Sequence, residues 1–184
     1  VFSRTGDYSM KSLRHAILLT ALAPIATPCL VAAEEHDAIK PVPRQGGWMT
    51  RHQSFNKRVA EGNVDIVFIG DSITQGWEGG GKEVWAKFYG KRNAVNLGIG
   101  GDRTQHVIWR LDHDNVKNIS PKAAVVMIGT NNSGSNTPEQ IAEGVAAIVK
   151  QLRTKLPKTQ VLLLAVFPRG PDKNDKRRQV NEKT

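Results

Sequence analysis

Short apolar runs that stop abruptly at glycine or proline constrain this sequence more than anything else in it. Residues 64–69 form a β-branched, apolar run ending at Gly70; residues 123–128 end at Gly129 and residues 161–167 at Pro168, and a shorter run at 94–97 precedes Gly98. Runs without regular polar alternation read as strands covered on both faces, the condition of a parallel sheet. The clearest helix lies between the third and fourth runs. Thr137 and Gln140 have the spacing of a capping box, and Pro138 suits the first turn. Ile141, Val145, Ile148, Val149 and Leu152 then make one apolar stripe, with Lys150, Arg153 and Lys155 where cations complement the helix dipole. A shorter helix is expected over 104–111. Strands alternating with helices predict an α/β fold, a parallel sheet with helices on both faces.

The first 33 residues stand apart. Met10 opens a short basic segment, and residues 16–33 are apolar and end in small side chains, the layout of a secretory signal peptide with Val31 and Ala33 before the cleavage point at Glu34. Residues 1–9 are read as an upstream extension, 10–33 as the signal peptide, and 34–63 as a polar leader broken by Pro41, Pro43, Gly46 and Gly47. That leader runs into a short helix packed through Trp48, Arg51 and Phe55, and 64–184 form the α/β domain. The apolar segment is interrupted by Pro24 and Pro28 and falls short of the roughly 20 residues that span a bilayer comfortably. Export without stable membrane insertion is therefore the expectation, and a retained anchor the alternative. The one cysteine, Cys29, leaves no disulfide framework and no Cys-based zinc site. With 26 Lys+Arg against 17 Asp+Glu the chain carries a formal charge of +9, but the cations are spread along it, so no nucleic-acid partner is expected.

In open parallel sheets, chemistry gathers at the carboxyl ends of the strands. Three polar motifs fall there: Gly70-Asp71-Ser72-Ile73-Thr74, then Asn96-Leu97-Gly98-Ile99-Gly100-Gly101-Asp102, then Gly129-Thr130-Asn131-Asn132. Each alone has a plain explanation as a turn or helix cap. Their occurrence at three successive strand ends points to a shared site. A dinucleotide loop would need Gly-x-Gly-x-x-Gly directly after the first strand, where this chain has Gly-Asp-Ser-Ile-Thr.

In this order the motifs resemble the first three blocks of the SGNH, or GDSL-type, hydrolase superfamily, and most closely its platelet-activating-factor acetylhydrolase type. The likeness rests on Ile69 to Thr74, on Asn96 to Val107, on Trp109-Arg110-Leu111, on Val126 to Asn132 and on Leu164 to Gly170. It implies a flavodoxin-like three-layer sandwich with strand order 2-1-3-4-5. It also implies Ser72 as nucleophile, with oxyanion donors from the Ser72 backbone N–H, the Gly101 backbone N–H and the Asn131 side-chain amide. The residue types suit acyl transfer, because glycine admits close backbone approach and an Asn amide donates without carrying charge. Asp71 is expected to support the site by capping the following helix. No cofactor and no metal is implied.

A serine hydroxyl needs an adjacent base. The resemblance places that base in a C-terminal Asp-x-x-His, which does not occur after the third motif; the five histidines are His15, His36, His52, His106 and His113. The resemblance gives His106 a structural role, and His113 reads as a solvated loop residue. The chain is accordingly expected to be truncated, lacking the C-terminal strand and helix of the fold and the catalytic Asp and His, with little turnover by itself; a degenerate member without a base is the alternative. Residues 161–167 would then form an exposed edge, apolar on both faces. The expected function is a secreted serine esterase removing short acyl groups, acetyl foremost, from carbohydrate or, second, from a lipid ester. The contrasting reading is an exported, non-catalytic carbohydrate-binding domain using the same cleft.

Overall fold

The computed structural model describes residues 36–184. The upstream extension, the signal peptide with Cys29, and the first two leader residues lie outside the described residues. The sheet is parallel and four-stranded: β1 (Ile66–Gly70), β2 (Ala94–Gly98), β3 (Ala123–Met127) and β4 (Gln160–Leu163), in the order β2-β1-β3-β4. Register aligns Gly70 with Gly98 on one side and with Met127 on the other. The three strands therefore end at one level, and the three loops that leave them start side by side.

The apolar runs cover both faces of β1. Val67 and Ile69 join one core with Val95, Leu97, Val126 and Ile128. Onto that core pack α1 (Gly47–Ala60), α4 (Thr104–Asp112) and α5 (Pro138–Lys155), through Phe55, Val107 and Ile148 among others. Phe68 points the other way and meets Trp85 and Tyr89 edge-on, at 5.0 and 4.9 Å between ring centres, on and just after α3 (Lys82–Phe88). Between β1 and α3 lies the one-turn helix α2 (Ser72–Gln75). The α/β fold that the resemblance implied is observed, and the four strands follow the first four positions of its 2-1-3-4-5 order. Among the described residues no helix is long and apolar enough to cross a membrane.

The helix expected after residue 137 forms with its capping box. The Gln140 N–H donates to Thr137 Oγ1 at 3.3 Å, and the Thr137 N–H donates to Gln140 Oε1 at 3.2 Å. Two regions differ from expectation. β4 stops at Leu163 instead of running to 167, because β3 ends at Met127 and offers its last bond through Val126 O, which accepts from the Leu164 N–H. The charged stretch after Arg169 is not featureless, for it forms α6 (Lys176–Lys183). Asp175 caps it, accepting from the Arg177 and Arg178 N–H groups, and the buried Asn181 amide donates to Thr130 Oγ1 and Phe167 O. A cap and one buried anchor supply what this run lacks in apolar stripe. On the outer side of β4, Leu162 and Leu163 are exposed, and an apolar groove of about 990 Å³ runs between that strand and α5.

The leader helix α1 is longer than its polar sequence suggests, and it buries Trp48, His52, Phe55 and Val59 along one stripe. His52 stacks on Trp48, and its Nδ1 accepts from the Asn115 amide at 3.1 Å. Burial lowers the pKa of His52 to about 4, and burial likewise lowers that of His106 to about 4. Between pH 6.5 and about 4 the unfolded chain binds protons that the folded chain does not, so stability should fall as pH drops through that window. The loss is on the order of 3 kcal/mol per histidine. Urea unfolding at pH 7 and pH 4 measures it; His52→Gln should flatten the slope, and a midpoint independent of pH would contradict the assignment.

Candidate active site

The loops after β1, β2 and β3 interlock through backbone and amide groups. Gly70 leaves no room for a side chain, since a Cβ there would overlap Thr74 Oγ1 and Met127 O. Asp71, fully buried, accepts from the Ile73 N–H at 2.9 Å and thereby caps α2. Ser72 is the first residue of that helix, exposed, with an N–H that donates to no described acceptor, as first-turn amides do.

The second loop folds over the first. The Gly100 N–H donates to Gln75 Oε1 at 2.7 Å, the Asn96 amide donates to Thr74 O at 2.9 Å, and the Ile99 N–H donates to Gly70 O at 3.2 Å. A methyl group on Gly100 would stand 3.7 Å from Ser72 Cβ, so this loop borders the serine directly. Gly101 turns with φ of +77°, which only glycine adopts without strain, and its N–H is likewise uncommitted among the described residues.

Asn131 closes the arrangement from the third loop. Its Nδ2 donates to Asp102 O at 2.9 Å and makes a longer contact, 3.4 Å, with Asp71 Oδ2. One amide hydrogen thus pins the second loop, while the other is held weakly enough to be exchanged for a better acceptor. Ser72, Gly101 and Asn131 are brought into one cluster by residues 71, 100 and 102. Burial pushes the Asp71 carboxyl up, with a further push from the Asp102 carboxylate, so that a proton on Asp71 is favoured beyond its ordinary range.

Beneath the second loop lies a charged hub that the sequence reading did not single out. Asp102, fully buried, accepts from Trp48 Nε1 at 2.6 Å, Arg110 Nε at 2.9 Å and Arg44 at 3.3 Å. Arg44 also donates to Gly100 O at 2.9 Å, and Arg51 to Gly98 O at 2.9 Å. The leader and α1 therefore brace the loop that carries Gly101. The Arg103 N–H donates to His106 Nδ1 at 3.0 Å, which caps α4, and Asn132 Oδ1 accepts from the Thr104 N–H at 3.0 Å. Asp102 and Trp109-Arg110-Leu111 fell within the resemblance and Trp48 was expected to pack, but nothing marked them as one hub and nothing in the leader's composition marked Arg44.

A cavity of about 340 Å³ adjoins the cluster, lined by Gly101 and Asn131 together with Arg103, Arg169 and Arg177. None of the four described histidines hydrogen-bonds Ser72. His36 pairs with Glu143 at 2.8 Å, His52 is buried beneath the second loop's hub, His106 is the α4 cap, and His113 stacks on Trp109 at 3.6 Å. Among the described residues no group of three or more His, Cys, Asp or Glu is placed to hold a metal ion.

Comparison with known proteins agrees with this architecture. The family model described as GDSL-like Lipase/Acylhydrolase matches residues 68–184. Over 160 residues the chain is 41% identical to platelet-activating factor acetylhydrolase IB subunit alpha1 of Homo sapiens, covering 83% of this chain and 68% of that protein. Over 136 residues it is 40% identical to the alpha2 subunit of Rattus norvegicus, covering 74% and 58%. Among solved structures, a platelet activating factor protein from Streptococcus pneumonia aligns with a TM-score of 0.55 at 21% identity, over 68% of this chain and 57% of that one. A GDSL-like lipase from Bacteroides thetaiotaomicron aligns with a TM-score of 0.53 at 21% identity, over 73% and 64%. The chain thus spans between 57% and 68% of the length of these proteins.

Proposed function

Because this chain belongs to the GDSL-like lipase/acylhydrolase family, we propose that it is a serine esterase acting through an acyl-Ser72 intermediate. The observation that carries the reading is Asn131, whose one amide touches both Asp71 and Asp102 and so draws the three loops round Ser72. Ser72 Oγ attacks the ester carbonyl carbon, and the carbonyl π electrons move to oxygen. The Ser72 and Gly101 N–H groups and the second Asn131 amide hydrogen, released from Asp71, hold that oxyanion. The hydroxyl proton passes to a base and from it to the departing alcohol; water then cleaves the acyl-serine by the same route.

The acyl group proposed is acetyl, in keeping with the acetylhydrolase names of the relatives, and the signal-like residues 10–33 support export and hence an acylated carbohydrate as substrate, with a lipid acetyl ester next. No described histidine bonds to Ser72, so the test supplies the base as free imidazole. On exposure to 4-nitrophenyl acetate with imidazole, peptide mass spectrometry should find acetyl on Ser72. Acetyl confined to lysines, or none at all, would overturn the esterase reading in favour of a binding domain. Asn131→Ala should slow the acetylation by about 10²–10³ if that amide holds the oxyanion. Burst kinetics of 4-nitrophenol release checks this, and an unchanged rate would remove Asn131 from the site.

A further inference from the structure

We infer that Arg44 is a positioning residue for ester cleavage: by binding the Gly100 carbonyl it selects the turn that points the Gly101 N–H at the acyl oxygen. The consequence for catalysis rests on the esterase reading above; the hold on the turn does not.

Residues 99–102 form a β-turn, closed by the Asp102 N–H donating to Ile99 O at 3.1 Å. Of its two central residues only Gly101 has a positive φ, +77°, the pattern of a type II turn. A type I turn keeps the same ends and differs by a half-rotation of the central peptide, here the one between Gly100 and Gly101. Neither glycine carries a side chain to oppose that rotation. Because a trans peptide is planar, Gly100 O and the Gly101 N–H point in opposite directions and turn as one unit. The rotation would put a carbonyl oxygen where the oxyanion needs a donor, and replace an attraction with a repulsion.

Most bonds of this loop fix its ends and are indifferent to the central peptide. The Ile99 N–H donates to Gly70 O, the Gly100 N–H to Gln75 Oε1, and Asp102 O accepts from the Asn131 amide. Gly100 O is the atom that senses the rotation, and its one partner among the described residues is Arg44 Nη1, at 2.9 Å. Arg44 is itself held in place. The same nitrogen reaches Asp102 Oδ1 at 3.3 Å, and that carboxylate is anchored by Trp48 and Arg110. The guanidinium lies along Gly101, with Nη1 3.3 Å from where a Cβ would stand. A charged donor grips a peptide carbonyl more firmly than a neutral one, and it polarises the peptide so that the N–H on the far side donates better. Arg44 therefore acts on the acyl oxygen through a peptide unit.

Nuclear magnetic resonance of the 184-residue chain reads the turn directly. A type II turn brings a Gly100 α-hydrogen close to the Gly101 N–H, and a type I turn brings the two glycine N–H groups together. The first contact is expected in the parent and in Arg44→Lys, which still offers a charged donor. The second is expected in Arg44→Ala and in Arg44→Met, which keeps the stem and loses the donor. Imidazole-dependent acetylation of Ser72 by 4-nitrophenyl acetate should slow by roughly 10–100-fold in the latter two, with its dependence on ester concentration unchanged, and recover in Arg44→Lys. Gly101→Ala disfavours the positive φ and should rotate the same peptide, so adding Arg44→Ala to it should slow acetylation no further. Effects that multiply in the double variant would make Arg44 a general brace and overturn the inference, as would a turn still of type II in Arg44→Ala. A rotated turn with an unchanged rate would remove Arg44 from catalysis. A turn that rotates as expected in a protein whose parent never acetylates Ser72 would overturn the esterase reading alone.

Discussion

Ser72→Ala is expected to reduce imidazole-dependent release of 4-nitrophenol from 4-nitrophenyl acetate to the level of imidazole alone, while leaving the unfolding free energy within about 0.5 kcal/mol of the parent. The two halves have one cause. Ser72 is exposed at the first position of α2, and its hydroxyl bonds to none of the described residues. The fold draws nothing from the oxygen, and Asp71, not Ser72, caps the helix. A residue that contributes so little to its own element and yet stands at the meeting point of three strand-end loops has a chemical explanation and no evident structural one. Chromogenic assay and urea unfolding of the same preparation check both halves. Full retention of ester cleavage would place the nucleophile elsewhere.

Asp102→Ala should do the reverse and cost about 3–5 kcal/mol of stability. Arg110 is wholly buried and its Nε donates to Asp102 Oδ2; without that carboxylate it is left as an uncompensated charge in the core, while Trp48 Nε1 loses its acceptor. Such a loss is a large share of the roughly 5–15 kcal/mol that holds a domain together. Asp102→Asn keeps an acceptor for the indole and should cost less. Burial pushes the Asp102 carboxyl up while Arg110, Trp48 and Arg44 draw it down, so the three donors are what make an ionised group tolerable there. Denaturant midpoints of the two variants measure the difference. Equal stability of Asp102→Ala and the parent would show that the hub does not brace the Gly101 loop.

The sheet was legible because its signal is local: continuous apolar runs need cover on two faces, and glycine at the ends of β1 and β2 marks where the backbone must leave. The motifs at those ends were legible for the same reason. The bracing was not, because Asp102 is joined to Trp48 and Arg44 across more than fifty residues, and a tryptophan in a polar leader reads as packing. α6 was hidden by its charge, since the features that form it are a single aspartate cap and one asparagine bonded to a loop 51 positions away. Nothing in the sequence marked His52 as buried; its burial follows from neighbours on α1 and α4 that no window along the chain brings together. Asn131 was picked out as an amide donor, but its use of one hydrogen to hold Asp102 O is a fact of tertiary geometry.

The account stands most directly on where a tetrahedral oxygen would lie at Ser72. A crystal structure of the protein phosphorylated on Ser72 by diethyl 4-nitrophenyl phosphate in the presence of imidazole, with 4-nitrophenolate released, would show this. The phosphoryl oxygen should lie about 2.7–3.1 Å from the backbone nitrogens of Ser72 and Gly101 and from Asn131 Nδ2, with the Asn131–Asp71 contact broken. An adduct on Ser72 whose phosphoryl oxygen faces solvent, with Asn131 still turned to Asp71, would contradict it.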